Sequence, residues 1–172
     1  VAALIDYLRR TPQTVDKPDW RNTWAAASYA PPEIWVHGNG RGAVECALEH
    51  GLALGLSILH HNANPDPALA HEYRHRFAPR GGREKPLLAL AVSGICAPTT
   101  AQAQTLYASH DYRDVRANIL GNPPRWQDEL ACLQARFQPD VIVVLDLCRR
   151  YEDRLAHYTL LETAMGLGPA PT

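Results

Sequence analysis

The 172-residue sequence has no excess of charge of either sign: 17 basic and 18 acidic side chains leave a formal charge of -1. That balance, with no stripe of basic and aromatic residues, gives no reason to expect a nucleic-acid partner. Long apolar runs are also missing. The longest, Leu87 to Val92 and Val141 to Leu145, fall far short of the roughly 20 residues that a membrane-crossing helix needs, so no membrane partner is expected. No signal segment is visible, although the chain starts at Val1 rather than Met. The four cysteines, Cys46, Cys96, Cys132 and Cys148, have no close pairing, which suits buried, reduced thiols in a cytoplasmic protein better than disulfides or metal ligands. Internal repeats and low-complexity tracts are absent too. Three well-known nucleotide or nucleophile motifs also fail to match: G-x-x-x-x-G-K-[ST], the six-residue dinucleotide fingerprint, and G-x-S-x-G.

What the sequence does have is regular alternation. Its length suits a single α/β domain over residues 1–172, with residues 1–32 as a partly helical lead-in containing prolines, Trp20 and Trp24. Short helices are expected over residues 1–10 and 20–28. Prolines 31 and 32 hold back the first strand, Ile34 to His37. A helix follows over residues 43–55, its buried face formed by Val44, Ala47, Leu48, Gly51, Leu52 and Gly55, with Gly51 packing closely on a sheet. Leu56 to Leu59 is a second strand and Pro67 to Phe77 a second long helix. Leu87 to Val92 is a fully apolar third strand of the kind buried on both faces, ended by Ser93-Gly94. Thr99 to Ser109 is helical. Residues 110–124 carry no readable pattern. Trp126, Leu130, Leu133 and Phe137 make an amphipathic stripe behind Pro124. Asp140 to Leu147 is the last strand, and Tyr151 to Met165 a final helix with Leu155, Tyr158, Leu161 and Met165 inward, stopped by Gly166 and Gly168. This order implies right-handed crossovers, a mainly parallel sheet and a Rossmann-like three-layer sandwich.

In such folds ligands bind beyond the carboxyl ends of the strands. Three ends stand out: the loop His37-Gly38-Asn39-Gly40-Arg41-Gly42, then Ser93-Gly94, then Asp146. Gly38 and Gly40 are expected to take conformations closed to other residues, Gly42 to admit a close ligand, and Arg41 to pair with phosphate or carboxylate. Glu45, one turn into the helix, is a candidate base, nucleophile or acceptor of a ribose hydroxyl, with Asp146 as the second candidate catalytic group. The alternative reading of the loop is a tight turn with solvated charges.

The run Gly38-Asn39-Gly40-Arg41-Gly42-Ala43 resembles the glycine-arginine-glycine-alanine turn of the SLOG superfamily, Rossmann-like nucleotide-binding proteins related to cytokinin-activating phosphoribohydrolases. Residues Gly42 to Ile58, including Glu45 and Ala53-Leu54-Gly55-Leu56-Ser57-Ile58, are similar to the glutamate-bearing helix of nucleoside 2-deoxyribosyltransferases. The resemblance implies a nucleotide or phosphosugar ligand and an N-glycosidic hydrolase or transferase in which Glu45 attacks or stabilises the anomeric carbon.

Two other readings compete. His71-Glu72-Tyr73-Arg74-His75 matches H-E-x-x-H and resembles the motif of zinc-dependent metallopeptidases, with His60, His61 and Glu84 as further donors on paper. Arg74 and Arg76 oppose a dication there, so no metal is assigned; His71 and His75 are instead read as surface residues or ligand contacts, and Arg80 to Lys85 as a lid or partner surface. The other reading is a binding subunit of a larger assembly, with a homo-oligomer or protein partner. No cofactor is assigned from the sequence. Triads drawn through Ser93, Asp146 and His157, or a pair of Cys96 with His37, have nothing to fix their geometry.

Overall fold

The computed structural model describes residues 33–109 and 115–166, together with Ala2, Ala3 and Ile5. The expected helix over residues 20–28 and nearly all of that over residues 1–10 lie outside the described residues. In order, the elements are β1 Trp35–His37, α1 Arg41–His50, β2 Ala53–Ser57, α2 Pro67–Arg76, β3 Leu88–Cys96, α3 Thr100–Ala108, β4 Ile119–Gly121, α4 Pro123–Phe137, β5 Val141–Asp146 and α5 Tyr151–Met165.

All the strand pairings are parallel, in the order β1-β2-β3 with β4 and β5 both on β3. The carbonyls of Ala91 and Ser93 accept from Ile58 and Asn118, while those of Leu88 and Gly94 accept from Asp140 and Leu147. Carbonyl directions alternate along a strand, so β2 and β4 share one edge of β3 end to end, and β5 takes the other. Leu88, Leu90 and Val92 of β3 join a core with Val44, Ala47, Tyr73, Trp126, Leu130, Leu133 and Phe137. Here α1 packs beside α2, α2 beside α4 and α4 beside α5. On the opposite face Ile95 and Ala97 pack against Ala103, Leu106 and Tyr107 of the α3 segment. The result is an α/β sandwich with a parallel sheet and five helices, consistent with the Rossmann-like three-layer class.

Local chemistry explains where the elements begin and end. Asn122 caps α4 by accepting from the Arg125 amide, with Pro123 in the first turn, where a missing N–H is harmless. Trp126, Leu130, Leu133 and Phe137 are all buried, as their spacing requires. Gly51, expected inside a longer helix, instead ends α1: it is left-handed (φ 62°, ψ 44°), and a Cβ there would collide with the Arg80 carbonyl. With the helix stopped at His50, β2 starts at Ala53 rather than Leu56.

The third strand is longer than its apolar run. It continues through Ser93-Gly94 to Cys96, because Ser93 is buried with its hydroxyl donating to the Arg116 carbonyl and Gly94 leaves room for a neighbour. A Cβ on Gly94 would strike the Ile119 carbonyl and lie 2.8 Å from Trp126 Cζ2. The final helix also departs from expectation. Leu161 points inward, but Leu155, Tyr158 and Met165 are exposed, and the sheet-facing side is completed by His157 and Ala164. Cys96 and Cys148 are buried as expected, whereas Cys132 is exposed on α4. Burial pushes both buried thiols up to about 11.

Candidate functional site

Two asparagine carboxamides close the C-terminal edge of the sheet. Asn39 Nδ2 donates to the Ser57 carbonyl at 2.7 Å, and the Ser57 amide donates to Asn39 Oδ1 at 2.8 Å. With the Gly38 amide on the Gly55 carbonyl at 3.0 Å, these bonds prolong the β1–β2 ladder through a side chain. Asn118 bridges the next gap: its Nδ2 donates to the Ile58 carbonyl at 2.8 Å, and its Oδ1 accepts from the Ser93 amide at 2.9 Å. Polar groups at a sheet end are thereby satisfied and the loops above β1, β2 and β3 are held in one arrangement.

The β1–α1 loop delivers α1 to this edge. Gly40 is the N-cap, with extended backbone and no side-chain cap, whereas α2, α3 and α4 have capping side chains in Asp66, Thr99 and Asn122. Arg41 and Gly42 are exposed in the first turn, and a Cβ on Gly40 or Gly42 would meet nothing within 4 Å. An amide-rich, unhindered helix start beside a guanidinium suits an anionic ligand. The expected unusual glycine conformations are not there: neither Gly38 nor Gly40 has positive φ. Gly38 is constrained instead by Ala43, whose Cβ would lie 2.9 Å from an added one. His37, at the end of β1, lays its ring across Gly55, where any side chain would collide with it, and stacks on Trp35 at 6.4 Å between centroids.

The structure does not gather all the sequence candidates at one point. Gly94 and Asp146 are register partners, but β1 is separated from β5 by β2 and β3, a span of roughly 14 Å at about 4.8 Å per strand. Ser93 and Gly94 sit within β3 and act on packing. Glu45 faces α2, where both its oxygens accept from Arg76, at 2.5 and 2.8 Å; Arg76 also holds Glu72 at 2.6 Å. The Arg76 guanidinium keeps the Glu45 carboxyl below the usual carboxylate range. In this arrangement Glu45 joins two helices.

Asp146 anchors the far end of the edge. Its Oδ1 accepts from the Cys148 amide and from Arg154 Nε, both at 3.1 Å, and its Oδ2 from the Tyr158 hydroxyl at 3.1 Å. Beside it His157 is fully buried, with Nδ1 accepting from the Cys96 amide at 2.7 Å and Nε2 without a hydrogen-bond partner. Burial pushes the His157 pKa down against the opposing pull of Asp146. A cavity of about 290 Å³ lies nearby, lined by Cys96, Gln102, Thr105, Leu106, Asp153 and Ala156. Asn118, Arg116 and Arg154 carried no motif signal, Asn118 and Arg116 belonging to the unreadable stretch before β4, while His157, weighed as a triad partner of Ser93 and Asp146, instead bonds the Cys96 amide.

Around the His71-Glu72-x-x-His75 pattern, as elsewhere among the described residues, no three His, Cys, Asp or Glu side chains converge on a possible ion. His71 and His75 are exposed on α2, and the Glu72 carboxylate is taken by Arg76. A wide basin of about 890 Å³, lined in part by Gly82, Arg83, Lys85 and Asp140, opens at the N-terminal ends of the strands, away from the side that ligands of open α/β sheets use. Among the described residues no helix is long and apolar enough to cross a membrane.

No protein-family model matches the chain. It is similar to the uncharacterized protein YwcH of Bacillus subtilis (strain 168), 25% identical over an alignment 185 residues long, gaps included, that covers 87% of this chain and 55% of that protein. It superposes on apo-MsnO8 with a TM-score of 0.76 and 20% identity, over 98% of this chain and 60% of that one. The monooxygenase RslO1 from Streptomyces bottropensis gives 0.69 and 12%, over 98% and 59%. The fold is shared with monooxygenases. A riboflavin lyase, RcaE, solved with a modified FMN and riboflavin, gives 0.57 and 16%, over 85% and 47%. The chain thus spans about half to three-fifths of the length of these relatives. These likenesses establish a Rossmann-like α/β fold related to those structures; they do not connect the chain to nucleoside 2-deoxyribosyltransferases.

Proposed function

We propose that this chain takes part in binding a phosphate-bearing cofactor of the flavin class for oxidoreductase chemistry. The observation that carries the reading is the first turn of α1: uncapped amides, open space at Gly40 and Gly42, and Arg41, all at the C-terminal edge of a parallel sheet. That turn fits a phosphate. RcaE, which shares the fold, was solved with a modified FMN, which favours a flavin among phosphate-bearing ligands.

In this reading the amides of Arg41 and Gly42 and the Arg41 guanidinium hold the phosphate, with Asn39 fixing the loop against Ser57. His37, packed over Gly55, borders the same loop. A bound flavin supplies the electron-transfer chemistry; the chain's own residues orient it. Asp146, with Arg154 and Tyr158, forms a polar station further along the edge for the substrate end of the site. Titrating the purified chain with FMN and with riboflavin, following flavin fluorescence, tests the reading. FMN should saturate the chain and lose affinity in Arg41→Ala, while riboflavin should bind more weakly. No saturable FMN binding by folded protein would end it.

A further inference from the structure

The large apolar side chains exposed among the described residues are not scattered. All seven belong to β5 and α5. β5 reads Val-Ile-Val-Val-Leu before Asp146, apolar on both faces, which is the composition of a strand flanked on each side inside a parallel sheet. It nevertheless pairs only with β3 among the described residues. Its amides alternate in direction; in the register that pairs Gly94 with Asp146, the Gly94 carbonyl accepts from the Leu147 amide, so the odd-numbered amides face β3 and those of Ile142, Val144 and Asp146 point outward. Val143 is 46% exposed. The strand carries no lysine or proline that would protect a permanent edge, and its one charge, Asp146, stands at its last position.

The following helix has the matching feature. On α5 the exposed Tyr151, Leu155 and Tyr158 fall at i, i+4 and i+7, one continuous stripe. At 3.6 residues per turn this stripe is rotated by roughly a third of a turn from the sheet-facing His157, Leu161 and Ala164. It therefore lies on the helix flank, where a neighbour in the same layer would sit. The flanks between helices in that layer are filled: α1 against α2, α2 against α4, α4 against α5.

We propose that the free edge of β5 and the flank of α5 receive one further β–α unit, a parallel apolar strand hydrogen-bonded to β5 with its helix packed along Tyr151, Leu155 and Tyr158. The lengths of the relatives supply the occupant: the portion matching this chain is 60% of apo-MsnO8, 59% of RslO1 and 55% of YwcH, so each has a large stretch of polypeptide outside it. A second copy of this chain fits less well, because a two-fold pairing of β5 with itself brings Asp140 opposite Asp146 of the other copy. This inference shares Tyr158 with the polar station at Asp146 but uses no residue of the β1–α1 loop, so capture and phosphate binding succeed or fail separately.

The test co-expresses the 172-residue chain with the part of YwcH that lies outside the match, carrying an affinity tag. The expected result is co-purification at equal stoichiometry, with amide exchange at Ile142, Val144 and Asp146 roughly tenfold or more slower than in the chain alone. The double variant Val143→Lys/Leu155→Glu, at exposed positions, should abolish capture with an unchanged circular dichroism spectrum. Three results overturn the proposal: a folded chain that is not captured, capture that survives the double variant, or a homodimer trapped by a disulfide through Val143→Cys.

Discussion

The carboxamide of Asn39 pairs with both backbone groups of Ser57, at 2.7 and 2.8 Å, across 18 residues of sequence. A side chain thus continues the β1–β2 ladder and sets where α1 begins. Asn39→Ala should cost about 1–3 kcal/mol, because two part-buried backbone groups lose their partner. Urea denaturation measures it. Asn39→Asp keeps the acceptor, loses the donor and should fall between the two.

Glycines that look alike in the sequence should respond differently. Gly94→Ala forces a Cβ into the Ile119 carbonyl and against Trp126, and should cost about 3 kcal/mol or prevent folding. Gly42→Ala meets open space on a helix and should stay within about 1 kcal/mol of the parent, on the stabilising side. Thermal melts of the two variants decide it.

Acid should weaken the fold through His157. Its folded pKa is depressed by burial, so the unfolded chain binds the proton more readily. The stability contributed by the neutral ring is present above the unfolded value near 6.5 and is lost as pH falls through the depressed folded value. Denaturation midpoints measured between about pH 7.5 and pH 5 should fall, and His157→Asn, which keeps an acceptor near Nδ1, should flatten this part of the profile. An unchanged slope in that variant would assign the acid sensitivity elsewhere.

The pair of Glu45 and Arg76 joins two helices in solvent, so Glu45→Gln should lower the melting temperature slightly at low salt and leave no difference near about 1 M salt. Flavin binding should be unaffected, since Glu45 faces α2 rather than the helix start. A large loss of flavin affinity in this variant would return Glu45 to the site.

The alternation of strands and helices was legible because each element has its own period: four apolar positions fix α4, and five consecutive apolar residues fix β5. Boundaries failed where a tertiary neighbour decided them. Nothing local shows that Arg80 forces Gly51 to end a helix, or that Ile119 and Trp126 need Gly94 inside a strand. The inward face of α5 was misplaced because Leu155 and Tyr158 are as apolar as a core stripe, while the buried positions carry a histidine and an alanine. Within the site, glycines and Arg41 gave a readable loop. The two asparagine bridges did not, since a carboxamide shows its partner only when strands from distant sequence meet.

The most direct test of cofactor binding at this edge is amide chemical-shift mapping of the isotope-labelled chain with FMN and with riboflavin. The expected result is that FMN shifts the amides of Arg41, Gly42 and Ala43 in a saturable way that riboflavin, lacking the phosphate, does not reproduce. FMN shifts confined to the basin around Arg83 and Lys85, or identical shifts with both flavins, would contradict a phosphate site at the start of α1.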